Sequence, residues 1–233
     1  MSEQAKIYTS AQVRLMGLPV IFTGSDLTVR FGWTSVAASQ YLSQWRKRQL
    51  VQSLGGLSDV HFNLLRCSQP SLDAGLRRAI PRAIKGGVDV LREAGWTTQI
   101  LRHLEAIVPV DGPLYSLNDI KLQTRTTRWF SMTEPGTIPV SAEEGLSRLH
   151  PAWALADMIH RARDGRVNDA WLLDPDDIDL DAARSDKRMG KALEAFKLSP
   201  DLISDDGYAR LYDDWRARAY ECEDDHSYLD APC

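Results

Sequence analysis

Acidic residues and lysines placed to cut a phosphodiester bond are sparse in this sequence. A metal-dependent nuclease needs two acidic residues and a lysine on adjacent strands, so that a divalent cation sits beside the phosphate. Glu105 and Lys121, with Asp119 just before the lysine, are the candidates on predicted strands. Their order and spacing depart from the usual nuclease motif. We therefore expect no catalytic residue, and a C-terminal metal-dependent nuclease domain is the alternative hypothesis.

Metal and nucleotide motifs are equally weak. Cys222, His226 and Cys233 could supply three zinc ligands, but they lie near the end of the sequence, where chains commonly fray. The acidic run 174–181 lacks the glycine and the closing glutamate of an EF-hand loop. Gly86-Gly87 is not followed by the Lys-Ser/Thr pair of a phosphate-binding loop. We predict no metal and no cofactor.

A different chemistry, recognition of DNA, is favoured by the polar and basic side chains of one segment. Small polar residues at the start of a helix can approach base edges, and basic residues can reach phosphates. The side chains predicted to probe the groove are Thr34, Ser35, Ser39, Gln40 and Ser43, and those predicted to hold phosphates are Arg30, Arg46, Lys47 and Arg48.

Two of these assignments leave alternatives open. His61 follows in a predicted hairpin, where its imidazole either is partly buried or faces a phosphate. The basic run 46–48 also has an explanation that involves no DNA. Cations are favoured in the solvated last turn of a helix because they interact with the negative end of the helix dipole.

Helices must position these side chains, and caps and breakers predict where they lie. A first short helix starts near Ser10. A second opens with Ser25 as its N-cap and closes at Gly32, as helices commonly do at glycine. A third starts after a cap at Thr34 or Ser35 and carries the predicted DNA-binding residues.

A β-hairpin follows the third helix. Short strands are predicted at 50–54 and 60–64, on either side of a turn at Gly55-Gly56. Helix, helix, tight turn, helix and hairpin is the order of a winged helix-turn-helix, which we predict over residues 1–66. A major groove about 12 Å wide admits one helix, so the third helix is the expected reader of DNA.

The charge distribution removes an objection to this hypothesis. The net charge is −4, which by itself argues against a polyanionic partner. Residues 1–140, however, hold 16 Lys and Arg against 10 Asp and Glu, whereas residues 141–233 hold 12 against 22. Because salt screens exposed charges over about 8–10 Å, a basic region can bind phosphate while a remote acidic region has little effect.

The polar stretch around Pro70 is the predicted linker to a second domain, 72–233. The predicted fold class is α+β: a winged helix-turn-helix followed by a mixed α/β domain with a helical tail. In this second domain we predict strands at 97–100, 104–108, 114–117, 120–124 and 129–130, and helices at 73–91 (in two pieces around Pro81), 151–163, 181–196 and 205–220.

Several stretches resemble a known family. The run 83–100, the following 104–109, Arg128-Trp129-Phe130 and the run 149–159 are similar to segments of the AbiEi antitoxins of type IV toxin–antitoxin systems. The run 56–64, which closes the predicted winged helix, is also typical of them. The resemblance spans roughly residues 5–200, and its motifs are structural rather than catalytic.

The resemblance implies a transcriptional autorepressor that binds double-stranded DNA at an operator with inverted repeats. It also implies a C-terminal domain needed for antitoxin action against a nucleotidyltransferase-like toxin, without a stable complex between them. This sequence departs from the family in its strongly acidic residues 141–233. A second DNA-contacting surface is therefore expected in 72–140, with 9 basic and 7 acidic residues, rather than in the tail.

Composition also favours a location. No apolar run approaches the roughly 18–20 residues of a membrane span, and residues 1–6 do not begin a secretory signal. Three sparse cysteines suit reduced thiols. We expect a cytoplasmic, nucleoid-associated protein with no membrane partner.

In a third hypothesis the winged helix contacts only protein and the acidic tail is the docking surface.

Overall fold

Caps and breakers in the sequence set most of the element boundaries of this chain. A computed structural model describes residues 10–55, 58–112, 117, 120–141, 144–164 and 172–226, with side chains up to residue 219. The described helices are α1 Ser10–Met16, α2 Gly24–Phe31, α3 Ser35–Lys47, α4 Leu72–Ala79, α5 Val88–Glu93, α6 Thr127–Thr133, α7 Pro151–Arg163, α8 Leu180–Ser185, α9 Met189–Ala195 and α10 Asp205–His226.

The described strands form two sheets, and the predicted α+β class is confirmed. Their bounds are β1 Ile21–Thr23, β2 Val51–Ser53, β3 Val60–Asn63, β4 Ile84–Lys85, β5 Leu104–Pro109, β6 Ile120–Arg125, β7 Thr137–Ile138 and β8 Ser147–Leu149. Within the described part of the chain, no helix is long and apolar enough to cross a lipid bilayer.

The chain divides into two units, and the division differs from the predicted boundary between residues 66 and 72. The first unit holds the described residues up to Ala83, those of 112–118 and those of 140–146; the second begins at Ile84. Helix α4 belongs to the first unit because it packs on β1 and β3. At Gly75 the contact is so close that a β-carbon would clash with the ring of Phe62.

The first unit places four described helices, α1 to α4, around an antiparallel sheet of order β1-β3-β2. The predicted hairpin strands are β2 and β3, with Val51 opposite Asn63, while β1 was not predicted. The buried Asn63 amide donates a hydrogen bond of 2.6 Å to the carbonyl of Leu15, which joins β3 to α1.

Helix α2 starts at a different cap from the predicted Ser25. Thr23 is the N-cap, because its hydroxyl accepts from the Asp26 backbone N–H while the Asp26 carboxylate accepts from the Thr23 backbone N–H at 2.7 Å. This reciprocal pair satisfies two backbone donors that a lone serine could not. Gly32 closes α2 with φ of 66°, as predicted, and Thr34 caps α3.

The second unit is built on a mixed sheet of order β6-β5-β4-β8-β7. Helix α7, predicted at 151–163, is buried along almost its whole length and packs on α5, α9 and α10. Strands β5 and β6 pair in parallel, with Glu105 opposite Lys121. The short strands β4, β7 and β8 were not predicted.

The second piece of the predicted helix 73–91 is wrong at residues 84–85, which form strand β4. Three further local predictions in this unit were wrong, and one cannot be compared. Residues 129–130 lie in α6 because Thr126 caps that helix. Residues 97–100 contribute one bridge, Thr97 to Ile178, rather than a strand. The predicted helix 181–196 is two helices, α8 and α9, separated at Asp186, whose carboxylate accepts from the Arg188 backbone N–H. Most of the predicted strand 114–117 lies outside the described residues.

We expect Gly32→Ala to destabilise the fold by about 1 kcal/mol. The space around Gly32 would accept a methyl group, so the cost comes from its left-handed φ, which disfavours a β-carbon. Urea unfolding of the full chain measures it. The matched control is Gly190→Ala in α9, where the methyl also meets open space but φ is helical, and stability should rise slightly. Equal effects of the two substitutions would contradict this account.

Candidate nucleic-acid interface

Helix α3 has one buried face and one exposed polar face. Ala38, Leu42 and Trp45 recur at helical spacing and are buried in the core of the first unit. About half a turn around the helix, Val36, Gln40 and Lys47 are exposed, and Ser43 beside them is half-buried. Of the predicted groove-probing residues, Gln40 and Ser43 therefore lie on the side of the helix that the core leaves open.

An aromatic cluster holds α3 in place. Trp33, in the turn between α2 and α3, stacks on Tyr41 with ring centroids 4.1 Å apart. Trp45 packs against both rings at about 6 Å. The Arg14 guanidinium of α1 lies 5.3 Å from the Trp33 ring centroid and 5.0 Å from that of Tyr41, in cation–π geometry. The cluster joins the turn to α1 and α3, so the direction of α3 depends on it.

A polar cleft of about 370 Å³ lies between α3, the start of α2 and the hairpin. The described polar residues that line it supply six hydroxyl groups, one arginine, one aspartate and one histidine: Ser25, Thr28, Ser35, Ser39, Ser53, Ser58, Arg46, Asp59 and His61. The structure thus brings together four predicted site residues, namely Ser35, Ser39, Arg46 and His61.

His61 forms part of the floor of this cleft and carries no charge at neutral pH. Its side chain is only 6% exposed. Burial lowers the pKa of the imidazole from 6.5 to about 4; Asp59 opposes that shift, and Arg46 adds to it. Of the two alternatives for His61, burial is therefore the one observed, and the imidazole does not act as a cationic phosphate contact.

Asp59 makes the cleft itself a poor place for phosphate. Its carboxylate accepts a 3.0 Å hydrogen bond from the Gly24 backbone N–H at the start of α2. The positive end of that helix dipole is thereby partly neutralised by a side chain of the protein. Phosphate contacts are better served by the exposed residues Arg46, Lys47 and Arg48 at the end of α3.

Arg30 does not lie where it was expected, and the Thr34 hydroxyl is engaged as the predicted helix cap. Arg30 is exposed, but it lies on the face of α2 turned towards Gly17 and does not line the cleft. The Thr34 hydroxyl accepts a 3.3 Å hydrogen bond from the Ala37 backbone N–H, so it serves first as the cap of α3. Thr34 remains exposed and can still donate its hydroxyl proton.

Val36 is a surface residue that the sequence reasoning missed. It is 68% exposed, on the same side of α3 as Gln40 and Ser43. The sequence pattern could have indicated this position, because residues 36, 40 and 43 recur at helical spacing and so lie on one side of a helix. The cleft residues of α2 and the hairpin, Ser25, Thr28, Ser53 and Ser58, come together only through folding.

The residues weighed for a nuclease lie in the second unit. Glu105 and Lys121 are opposite each other on β5 and β6, while Asp119 lies outside the described residues. Glu105 is buried, its carboxylate accepts from the Gln123 amide at 3.3 Å, and burial raises its pKa. No group of three metal-ligating side chains occurs among the residues that the structure describes.

The remaining candidate metal ligands are the acidic run 174–181 and the cysteine and histidine residues near the end of the sequence. Asp174 and Asp179 accept backbone N–H groups at the starts of a short 3₁₀ turn and of α8, as expected of a capping loop. Cys222 and His226 fall on α10, but their side chains and the whole of Cys233 lie outside the described part.

Comparison with known proteins shows that the fold of this chain is similar to that of a solved structure. No protein-family model and no curated protein matches the sequence. Among solved structures, the Rv2827c protein from Mycobacterium tuberculosis is similar, with a TM-score of 0.54. The match covers 90% of this chain and 77% of that one at 14% identity, so the likeness concerns the fold alone.

The buried neutral His61 leads to an expected pH dependence of stability. Between pH 6.5 and about 4 the unfolded chain binds a proton at His61 that the folded chain does not bind. Stability is therefore lost as the pH falls through this range, by about 3 kcal/mol at most. Urea unfolding at several pH values should give a shallower loss for His61→Gln than for the original chain.

The matched control is Gln44→Ala, which changes an exposed residue of α3 that carries no titratable group. Its loss of stability between pH 6.5 and 4 should follow that of the original chain. If His61→Gln also follows the original chain, His61 is not protonated in the way described here.

Proposed function

We propose that this protein is a transcriptional autorepressor that binds double-stranded DNA sequence-specifically, with its first unit acting as a winged helix-turn-helix. In this proposal α3 is the recognition helix and the β2–β3 hairpin is the wing. The observation that carries it is the surface of α3. An exposed side with Val36, Gln40 and Ser43 leads to the exposed cations Arg46, Lys47 and Arg48.

The arrangement of elements supports the proposal. α2 ends at Phe31, the three-residue turn 32–34 follows with Gly32 in a left-handed conformation, and α3 begins at Ser35 after the Thr34 cap. Such a tight turn between two helices is typical of helix-turn-helix proteins, where the second helix enters the major groove. Small hydroxyl side chains at the start of α3 allow close approach to base edges.

The distribution of charge supports the same partner. Residues 1–140 carry an excess of basic over acidic side chains, although the whole chain is acidic. Phosphate contacts supply most of non-specific DNA affinity, so cations near α3 would steer the protein to DNA. The neutral His61 adds nothing to this attraction at pH 7.

The biological setting in the proposal comes from the resemblance to AbiEi antitoxins. On that basis the operator contains inverted repeats and lies before the protein's own operon. The functional partner is a nucleotidyltransferase-like toxin that the protein counters without a stable complex. The segments that carry the resemblance, 83–100 and 149–159, lie almost wholly in the second unit, which supports assigning the antitoxin role there.

Replacing Arg46 and Lys47 together by alanine should weaken binding to every DNA sequence. If each cation contacts one phosphate, the slope of log affinity against log salt should fall by about two. Fluorescence anisotropy with a duplex from the protein's own promoter, titrated at several salt concentrations, measures this slope. His61→Gln is the control and should keep the original slope, because His61 is uncharged at pH 7.

An unchanged slope in the double variant would remove the phosphate assignment. Failure of the original chain to bind its promoter at low salt would favour the hypothesis of a protein-contacting winged helix.

The same preparations should leave plasmid DNA intact with Mg²⁺ or Mn²⁺. Cleavage that survives stringent purification, and that Glu105→Gln abolishes, would replace the proposal by the nuclease alternative.

Val36→Ala should change which base pairs are preferred without changing the salt dependence. A valine methyl in the major groove can contact the methyl group of thymine, and losing such an apolar contact costs about 1 kcal/mol of discrimination. Anisotropy against a set of single-base operator variants measures the preference. Val29→Ala is the matched control, because Val29 is a valine of α2 with 85% exposure. Identical profiles for the two variants would contradict the orientation of α3.

A further inference from the structure

The second unit contains a cavity that the proposed function does not use. It lies between the end of β6, helices α6 and α7, and the residues that follow α9. Its volume of about 410 Å³ is in the lower part of the range for small-molecule sites. All of its lining residues in the described part of the chain belong to the second unit.

Basic side chains outnumber acidic ones around this cavity. Arg125, Arg128, Arg161 and Lys197 line it, against the two carboxylates Asp157 and Asp164. Asp157 is already engaged at both oxygens. The Arg125 guanidinium donates to one at 2.8 Å, and the Trp129 indole N–H donates to the other at 2.7 Å. The lining therefore has an excess of cations, which suits an anionic ligand.

Arg125 is the buried charge at the inner end of the cavity. Its side chain is 5% exposed, and besides Asp157 it donates to the carbonyl of Thr124 and the side-chain oxygen of Gln123. Among the described residues its Nε–H has no hydrogen-bond partner. Buried donors without a partner are rare in folded proteins, so this guanidinium has capacity that the protein itself does not fill.

Lys197 stands in an unfavourable backbone conformation at the mouth of the cavity. Its φ is 55°, directly after the C-cap of α9, at a position where glycine is preferred. The Arg163 guanidinium donates to its carbonyl at 3.2 Å. Non-glycine residues in this region are strained, and such strain is concentrated at ligand sites.

Apolar and aromatic side chains complete the lining. Trp129 and Phe196 are buried beside the cationic groups, and Met132 is half-buried. An inorganic anion alone would not use these walls. A ligand that fits both parts of the cavity has a ring or another apolar portion next to an oxyanion.

We propose that this cavity binds a small organic phosphate of the mononucleotide class. The phosphate lies against Arg125 and Arg128, and the ring lies along the Trp129–Phe196 side. The exposed Arg128 guanidinium can match phosphate oxygens in bidentate geometry, and Arg125 adds the Nε–H that its protein partners leave unfilled. A phosphate monoester carries close to two negative charges at pH 7, which fits the cationic lining better than a single carboxylate does.

Isothermal titration of the full chain tests this site with four probes: adenosine monophosphate, adenosine, inorganic phosphate and benzoate. The monophosphate should bind at least tenfold more tightly than each of the others. Equal binding of adenosine would overturn the proposal, because the phosphate would then not be recognised. Tighter binding of benzoate would overturn it in favour of a carboxylate site. No binding of any probe at millimolar concentration would also overturn it.

Two mouth variants make the test specific. Arg128→Ala changes an exposed residue and should weaken monophosphate binding roughly tenfold, as expected for losing a charged hydrogen bond. Lys197→Gly should also weaken it without lowering the unfolding midpoint, because glycine suits the left-handed position. Arg102→Ala, an exposed arginine that does not line the cavity, is the control and should bind as the original chain does. Unchanged binding in Arg128→Ala and Lys197→Gly would overturn the assignment. None of these outcomes depends on DNA binding.

Discussion

The proposed DNA-reading surface depends on an aromatic cluster in which two rings of α3, Tyr41 and Trp45, pack against Trp33 of the preceding turn. Trp45, 1% exposed, and the stacked pair Trp33–Tyr41 occupy the inner side of the helix, with the Arg14 guanidinium over the pair. Large aromatic side chains bury much apolar area with few rotatable bonds, so they hold a helix in one rotational setting. That setting leaves Val36, Gln40, Ser43 and Lys47 outside.

Each unit places its ionisable groups differently, and the difference follows from solvation. In the first unit the basic side chains at the end of α3 are exposed to water and are accessible to a partner. His61, under the cleft, is neutral because its burial favours the uncharged imidazole. In the second unit the charges of Arg125 and Asp157 are buried together, and a charge held inside a protein needs partners.

Predictions from the sequence were confirmed where the structure depends on interactions between residues close together in the chain. Gly32, Thr34 and the helix 151–163 were predicted, because caps, glycine and helical spacing act within a few residues. Trp129-Phe130 was predicted as a strand since aromatic residues favour strands. The Thr126 cap and the bond from the Trp129 indole to Asp157 decided otherwise. The partner lies 28 residues away, beyond what a local pattern can express.

The sequence by itself determined the α+β class, the order of helices and hairpin in the first unit, and most of the residues on α3. These features depend on hydrophobic spacing and backbone caps, which are local. Tertiary structure alone decided that α4 packs with the first sheet, that Arg30 turns away from the cleft, and that His61 is buried and neutral. It also decided that Arg125, Arg128 and Lys197 share one cavity. Burial and the meeting of distant charges depend on contacts between residues far apart in the chain, and spacing along the sequence does not encode those directly.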